Sequence, residues 1–189
     1  MTVSTPTVSG QILTSAYVNN NINSGLVYIT DVALTTTPLD GIFTSTYDNY
    51  RIVVSDAYFG TTGGLILFRY RDTANATVSL PNYQSGNLRF DSTGTSFNFG
   101  NTAQTEGSTA INTSTGATDS AGFVMDIYGP RLARPTQNSL SGAGVITGVT
   151  MVQSSCRYTA STAMAGINFF TNAGTFANGR IFVYGYRKA

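Results

Sequence analysis

From Leu26 onward the chain changes character every two residues, with apolar and polar side chains alternating in segments of about five to ten residues cut by clusters of Gly, Asn, Asp, Ser and Pro. A period of two puts successive side chains on opposite faces of an extended backbone, so each segment buries one face and wets the other. Gly64–Asp72 shows the pattern plainly, with Leu65, Leu67 and Arg69 alternating against Ile66, Phe68 and Tyr70. The same reading predicts strands over Leu26–Ala33, 49–57, 88–90, 96–99, 122–128, 144–153, 157–163, 166–170 and 180–187, about ten in all. Two segments break the alternation and read as long loops: 100–120, nearly all Thr, Ser, Asn, Gly and Ala, and 131–141, which follows Pro130 and contains Pro135. The first has a second reading, a Thr-rich ribbon paired against a neighbouring subunit, because Thr favours strands but supplies little apolar surface.

Composition agrees with the period. Glu106 is the only glutamate and Lys188 the only lysine, so good helix formers are scarce. Only residues 9–22 carry a helical spacing: Leu13, Tyr17, Val18 and Ile22 share one face, Thr14 supplies an N-cap, and Asn19, Asn20 and Asn21 keep the helix short. Short strands after one short helix predict an all-β, antiparallel β-sandwich, jelly-roll-like, in which residues 1–25 are an attachment segment and 26–189 the sandwich domain. No fixed-period repeat supports a β-helix or a propeller.

The chemistry open to such a chain is narrow. Among 189 residues there is no His, and Cys156 is the single cysteine. Histidine-based triads, His-ligated metals, an internal disulfide and thiolate clusters are thereby excluded. Charged residues make up 10%, with a net charge of +1 and no basic runs, so no nucleic-acid footprint is present. The apolar runs are far shorter than the roughly 20 residues of a membrane helix, and residues 1–6 have neither the basic region nor the apolar core of a secretory signal.

Several constellations have both a chemical and a bland reading. Eight Asp and one Glu allow many carboxylate pairings for glycoside hydrolysis, but Asp40, Asp48, Asp72 and Asp91 sit in turn contexts where Asp caps its own backbone. Asp31, Asp40, Asp48, Asn49, Asp56 and Asp72 offer calcium oxygens without any calcium-loop spacing. Asn75 and Asn112 begin glycosylation triplets of the kind chance produces. Arg69 and Arg71 alternate with Phe68 and Tyr70, which fits a stacking platform for single-stranded nucleic acid less well than an outward sheet surface with Asp72 and Asp91 nearby. Cys156 reads as a small buried residue. Tyr47, Tyr50, Tyr58, Tyr83, Tyr184 and Tyr186 suit core, subunit interface or sugar stacking.

Three motifs carry a family resemblance: Gly10-Gln11-Ile12-Leu13-Thr14-Ser15-Ala16 followed by Gly25-Leu26, Phe43-Thr44-Ser45-Thr46-Tyr47-Asp48-Asn49-Tyr50-Arg51-Ile52, and the C-terminal run from Gly179 to Lys188. With Leu65 to Arg69 and Asn82-Tyr83 between them, the layout resembles the small virion structural proteins of tailed bacteriophages, of the tail-fibre and appendage type. The resemblance covers both ends and the first half, and residues 92–141 carry none of it. It implies a β-sandwich subunit located in the virion, assembled as a homotrimer and with other virion proteins, with no catalytic residues, no cofactor and no metal. The candidate subunit or virion interface is Ile12, Leu13, Tyr17, Val18, Ile22, Tyr184 and Tyr186. A rival function is a lectin-like, receptor-binding module whose loops at 61–63 and 100–120 recognise a host surface glycan. A depolymerase stands third.

Overall fold

A computed structural model of the protein describes residues 25–188 apart from 61–63, 95, 114, 116–118 and 146–147. The helix expected over 9–22, and with it Ile12, Leu13, Tyr17, Val18 and Ile22, lies outside the described residues. The remainder is built from eleven strands: β1 (Leu26–Ala33), β2 (Asn49–Phe59), β3 (Gly64–Asp72), β4 (Tyr83–Asp91), β5 (Ser96–Gln104), β6 (Gly107–Thr113), β7 (Ala121–Tyr128), β8 (Thr136–Val145), β9 (Val149–Tyr158), β10 (Met164–Thr171) and β11 (Phe176–Tyr186). They form an antiparallel β-sandwich with unequal layers, an eight-stranded sheet in the order β1-β11-β2-β7-β8-β9-β4-β5 and a three-stranded sheet β10-β3-β6. Each small-sheet strand is inserted in the chain between two strands of the large sheet, so the backbone crosses the core to and fro. No helix among the described residues is long and apolar enough to cross a membrane.

The alternation places the core. Tyr50, Ile52 and Val54 of β2, Phe123, Met125 and Ile127 of β7, and Ile181 and Val183 of β11 face inward from the large sheet and are buried. Ile66, Phe68 and Tyr70 of β3 meet them with Ile111, Ile167 and Phe169. Aromatic rings bridge the layers, with Phe123 5.9 Å from Phe169 and Tyr158 6.5 Å from Tyr70 by centroid, and Tyr158 also stands 5.0 Å from Tyr83 within the large sheet. Edge-to-face contacts of this kind add to the area they bury.

Two expected loops are strands. Within 100–120, β5 runs to Gln104 and β6 follows at once, pairing with β3 of its own chain rather than with a neighbour. Its polar side chains are buried because each finds a partner: Thr109 donates to the Ile66 carbonyl at 2.6 Å, and Thr113 to that of Ala57 at 3.1 Å. Within 131–141, β8 begins right after Pro135, where proline's missing N–H costs no ladder bond. The strand expected over 144–153 is two, because the chain reverses after Val145 and returns as β9 from Val149. β9 ends at Tyr158, and 159–163 connects it to β10.

Exposed sheet edges invite unwanted pairing, and this fold blunts them. The β10 edge is covered by the segment after β1, where Leu39 and Ile167 exchange backbone hydrogen bonds of 2.9 and 3.1 Å. Gly166 permits that approach, since a Cβ there would stand 2.1 Å from the Leu39 carbonyl oxygen. The large-sheet edges β1 and β5 are each irregular, with register shifts between Tyr28 and Thr30 and opposite Tyr83 and Ser85.

Candidate functional site

The outer face of the eight-stranded sheet, which no other layer of the described residues covers, gathers the exposed side chains of its strands into three zones. The first spans β1, β11, β2 and β7. Arg51 grips Asp126 through two bonds, Nε to Oδ1 at 2.8 Å and Nη2 to Oδ2 at 2.7 Å, and Tyr186 donates to Oδ1 at 2.7 Å. Partial burial pushes the Asp126 carboxyl up, but the hydrogen bonds from Arg51 and Tyr186 outweigh it and the net shift is downward. Burial, then the neighbouring Asp126, raises the Tyr186 hydroxyl to about 12. Tyr184 stands edge-on to Tyr28 at 5.9 Å, and Tyr28 hydrogen-bonds Asp31, which also receives Arg180. Of the predicted interface, Tyr184 and Tyr186 therefore share one face of β11, half-buried and already partnered within the chain. Tyr28 beside them, 54% exposed, was not singled out by the sequence because its strand gives no sign of which face is outward.

The second zone is apolar and lies at the β8–β9 reversal. Val149 and Met151 project from the same face of β9, 65% and 53% exposed, and Met151 pairs directly across from Phe90 on β4 and Ala143 on β8. Phe90 is 39% exposed. Isolated exposed apolar residues are ordinary, whereas adjacent ones in direct register mark a contact surface.

The third zone is a polar groove at the other end of β9. It encloses about 590 Å³ across β8, β9, β4 and β5, with Gln84, Asn101, Thr102, Gln137, Ser155 and Arg157 among its walls and Gly86 and Gly100 in its floor. A second hollow of about 360 Å³ shares Gln137 and Arg157 and adds Tyr128, Arg134 and Pro135. Tyr128, Gln137, Arg157 and Gln84 are cross-strand neighbours in one row over β7, β8, β9 and β4. Gly129 takes a left-handed conformation, φ 62°, and its missing Cβ lets the Arg134 guanidinium lie against the backbone beside Tyr128. Along β9 the outward residues grade from Val149 and Met151 through Gln153 and Ser155 to Arg157, so the apolar and polar zones are roughly 20 Å apart on one strand.

The remaining candidates resolve into structure. Asp72 accepts the N–H groups of Ala74 and Ala76, and Asp91 that of Thr93, the turn capping expected of both. Arg71 pairs with Asp40 and Arg69 with Glu106, replacing the expected neighbours Asp72 and Asp91. Phe68 and Tyr70, between them on β3, are fully buried and offer no stacking face. Asp48 pairs with Lys188, and Asp56 accepts from Asn178. Glu106 is lowered by the Thr105 hydroxyl and by Arg69. A sugar-cleaving acid needs a carboxyl raised toward neutrality, and Asp31, Glu106 and Asp126 are all moved the other way. No group of three or more metal-ligating His, Cys, Asp or Glu side chains occurs among the described residues. Cys156 is buried, and desolvation lifts its thiol to about 11, far from a nucleophile's range.

No protein-family model matches the chain, and no curated protein matches it significantly in sequence.

Proposed function

We propose that the protein is a non-enzymatic structural subunit of a tailed-phage virion that acts through oligomeric assembly. The virion setting and the trimeric state rest on the resemblance of the sequence motifs. The observation that carries the assembly reading is the contiguous apolar patch of Phe90, Val149 and Met151 on the open face of a sandwich whose other large apolar groups are mostly buried. Tyr28, Tyr184 and Tyr186 extend the same face toward β1. Light scattering tests it: a particle three times the 20.0 kDa chain is expected. Met151→Asp, which puts a charge into the patch without touching the core, should shift it to monomer. A wild-type monomer at every concentration, or a Met151→Asp trimer, overturns this reading.

A second reading, glycan recognition, is favoured by the groove. Its amides, hydroxyls and guanidinium are the groups that bind vicinal sugar hydroxyls, and the apolar patch leaves it open. The two activities occupy different ends of one face and are compatible in one molecule.

A further inference from the structure

We propose that the groove over β8, β9, β4 and β5 binds an acidic saccharide, one whose sugar carboxylate is received by Arg157 and Arg134 at the Tyr128 end. The inference rests on the glycan-recognition reading and specifies its ligand.

Charge is the first argument. Arg51, Arg69, Arg71, Arg180 and Lys188 are each neutralised by a carboxylate. Arg134 and Arg157 are exposed and have no carboxylate partner among the described residues, yet both line the same hollow. No Asp or Glu lines either cavity. In a chain with so little charge, two unneutralised guanidiniums facing one hollow make it the positive end of an otherwise neutral trough. A guanidinium receives a carboxylate through two parallel N–H bonds, which fixes orientation as well as sign.

Shape is the second argument. The groove crosses four strands, roughly 14 Å from β8 to β5, a span suited to an extended chain of sugar rings. Gly86 and Gly100 keep its floor low: the nearest atom to a Cβ at Gly86 would be Ser155 Oγ at 3.7 Å, and at Gly100 the Ser85 carbonyl at 3.5 Å. Neither glycine is required by backbone conformation, since neither has a positive φ. Their absence of side chain therefore shapes the surface rather than the fold.

Chemistry is the third. The walls hold Gln84, Gln137 and Asn101, each able to donate and accept, with the Thr102 and Ser155 hydroxyls. Tyr128, 42% exposed, presents a ring at the cationic end, anchored through a 3.0 Å hydrogen bond between its hydroxyl and that of Ser139. A single-stranded nucleic acid would demand a track of cations and successive stacking rings, and the groove offers two guanidiniums and one ring.

The test is calorimetric titration of the full chain with oligogalacturonate, oligomannuronate and sialyllactose, each against its neutral counterpart: galactan oligosaccharide, mannan oligosaccharide and lactose. At least one acidic probe is expected to bind saturably at one per chain, ten-fold or more tighter than its counterpart, with affinity falling as salt rises. Arg157→Gln and Arg134→Gln, which keep a polar hydrogen-bonding end but remove the charge and shorten the side chain, should each weaken it about ten-fold. Gly86→Leu should abolish binding while the unfolding midpoint stays put. If acidic and neutral probes bind alike, Gly86→Leu removes both and Arg157→Gln changes nothing, glycan recognition stands and the acidic preference is wrong. No binding of any of the six sugars overturns both. Tighter binding of a single-stranded oligonucleotide than of every acidic sugar also overturns the proposal, in favour of a phosphate ligand.

Discussion

Removing one oxygen from Tyr83 should cost this protein more than its size suggests. The Tyr83 hydroxyl sits between the sheets, where it accepts the Tyr70 N–H at 2.8 Å and donates to the Val78 carbonyl at 3.0 Å. Tyr70 and Tyr83 are fully buried and Val78 nearly so, so in Tyr83→Phe no solvent replaces either bond. A buried orphaned backbone group costs about 1–3 kcal/mol, and two, partly relieved by relaxation, about 3 kcal/mol. For a domain of this length that corresponds to roughly 6–12 °C in Tm. Tyr50→Phe is the internal control. The Tyr50 hydroxyl makes the same pair of bonds, accepting from Thr44 N–H at 2.6 Å and donating to its carbonyl at 2.8 Å, but Thr44 is exposed and water can take over. About 1 kcal/mol is expected there. Urea unfolding followed by near-ultraviolet circular dichroism measures both. If Tyr83→Phe proves no more costly than Tyr50→Phe, solvent reaches the inter-sheet space and the reasoning fails.

Other perturbations follow from the same packing. Burial raises the hydroxyls of Tyr70 and Tyr83 and the thiol of Cys156, the last from 9.0 to about 11. The unfolded chain then releases these protons first, so stability should be intact below pH 9 and decline above it, with Cys156→Ala removing the part lost between 9 and 11. A flat unfolding free energy from pH 8 to 11 would contradict this. At the acid end, Asp126 is lowered, so its contribution is present above the ordinary carboxylate range and lost as pH falls through that range and below. Asp126→Asn should cost about 1 kcal/mol at pH 7 and flatten the acid limb of a stability profile. Gly107→Ala should destabilise by about 2–3 kcal/mol, since its Cβ would stand 2.1 Å from the buried Phe68 ring, and chemical denaturation checks it.

Much of the sandwich was legible because its central strands obey one rule. β3 and β7 are found almost to the residue from alternation, since Phe68 and Tyr70, or Phe123 and Met125, declare the inner face. β6 was not, because Ser108 to Thr113 buries hydroxyls whose partners, the carbonyls of Ile66 and Ala57, belong to distant strands. β8 hid for a related reason: between Gln137 and Ser141 only Leu140 is apolar, and Asn138 is buried by bonding Tyr70. The groove had no local signal at all. Gln84, Asn101, Gln137 and Arg157 meet only through the order β8-β9-β4-β5 and its register, which no single stretch of residues encodes. Tyr184 and Tyr186 share a face of β11, and their engagement with Tyr28 and Asp126 arises from pairing across strands that are distant in sequence.

The place of β11 between β1 and β2 bears on how the chain is made. β1 is the first strand of the sheet to leave the ribosome, yet its neighbour in the sheet is the last. At 5–20 residues per second, the roughly 140 residues between them take roughly 7–30 s to synthesise. Through that interval β1 has no native partner among the described strands, and the β11-facing edge of β2 lies open. The sheet therefore closes only once β11 has emerged rather than growing strand by strand, and nascent chains on crowded polysomes pass through a stage in which the same free edges from neighbouring copies compete to pair.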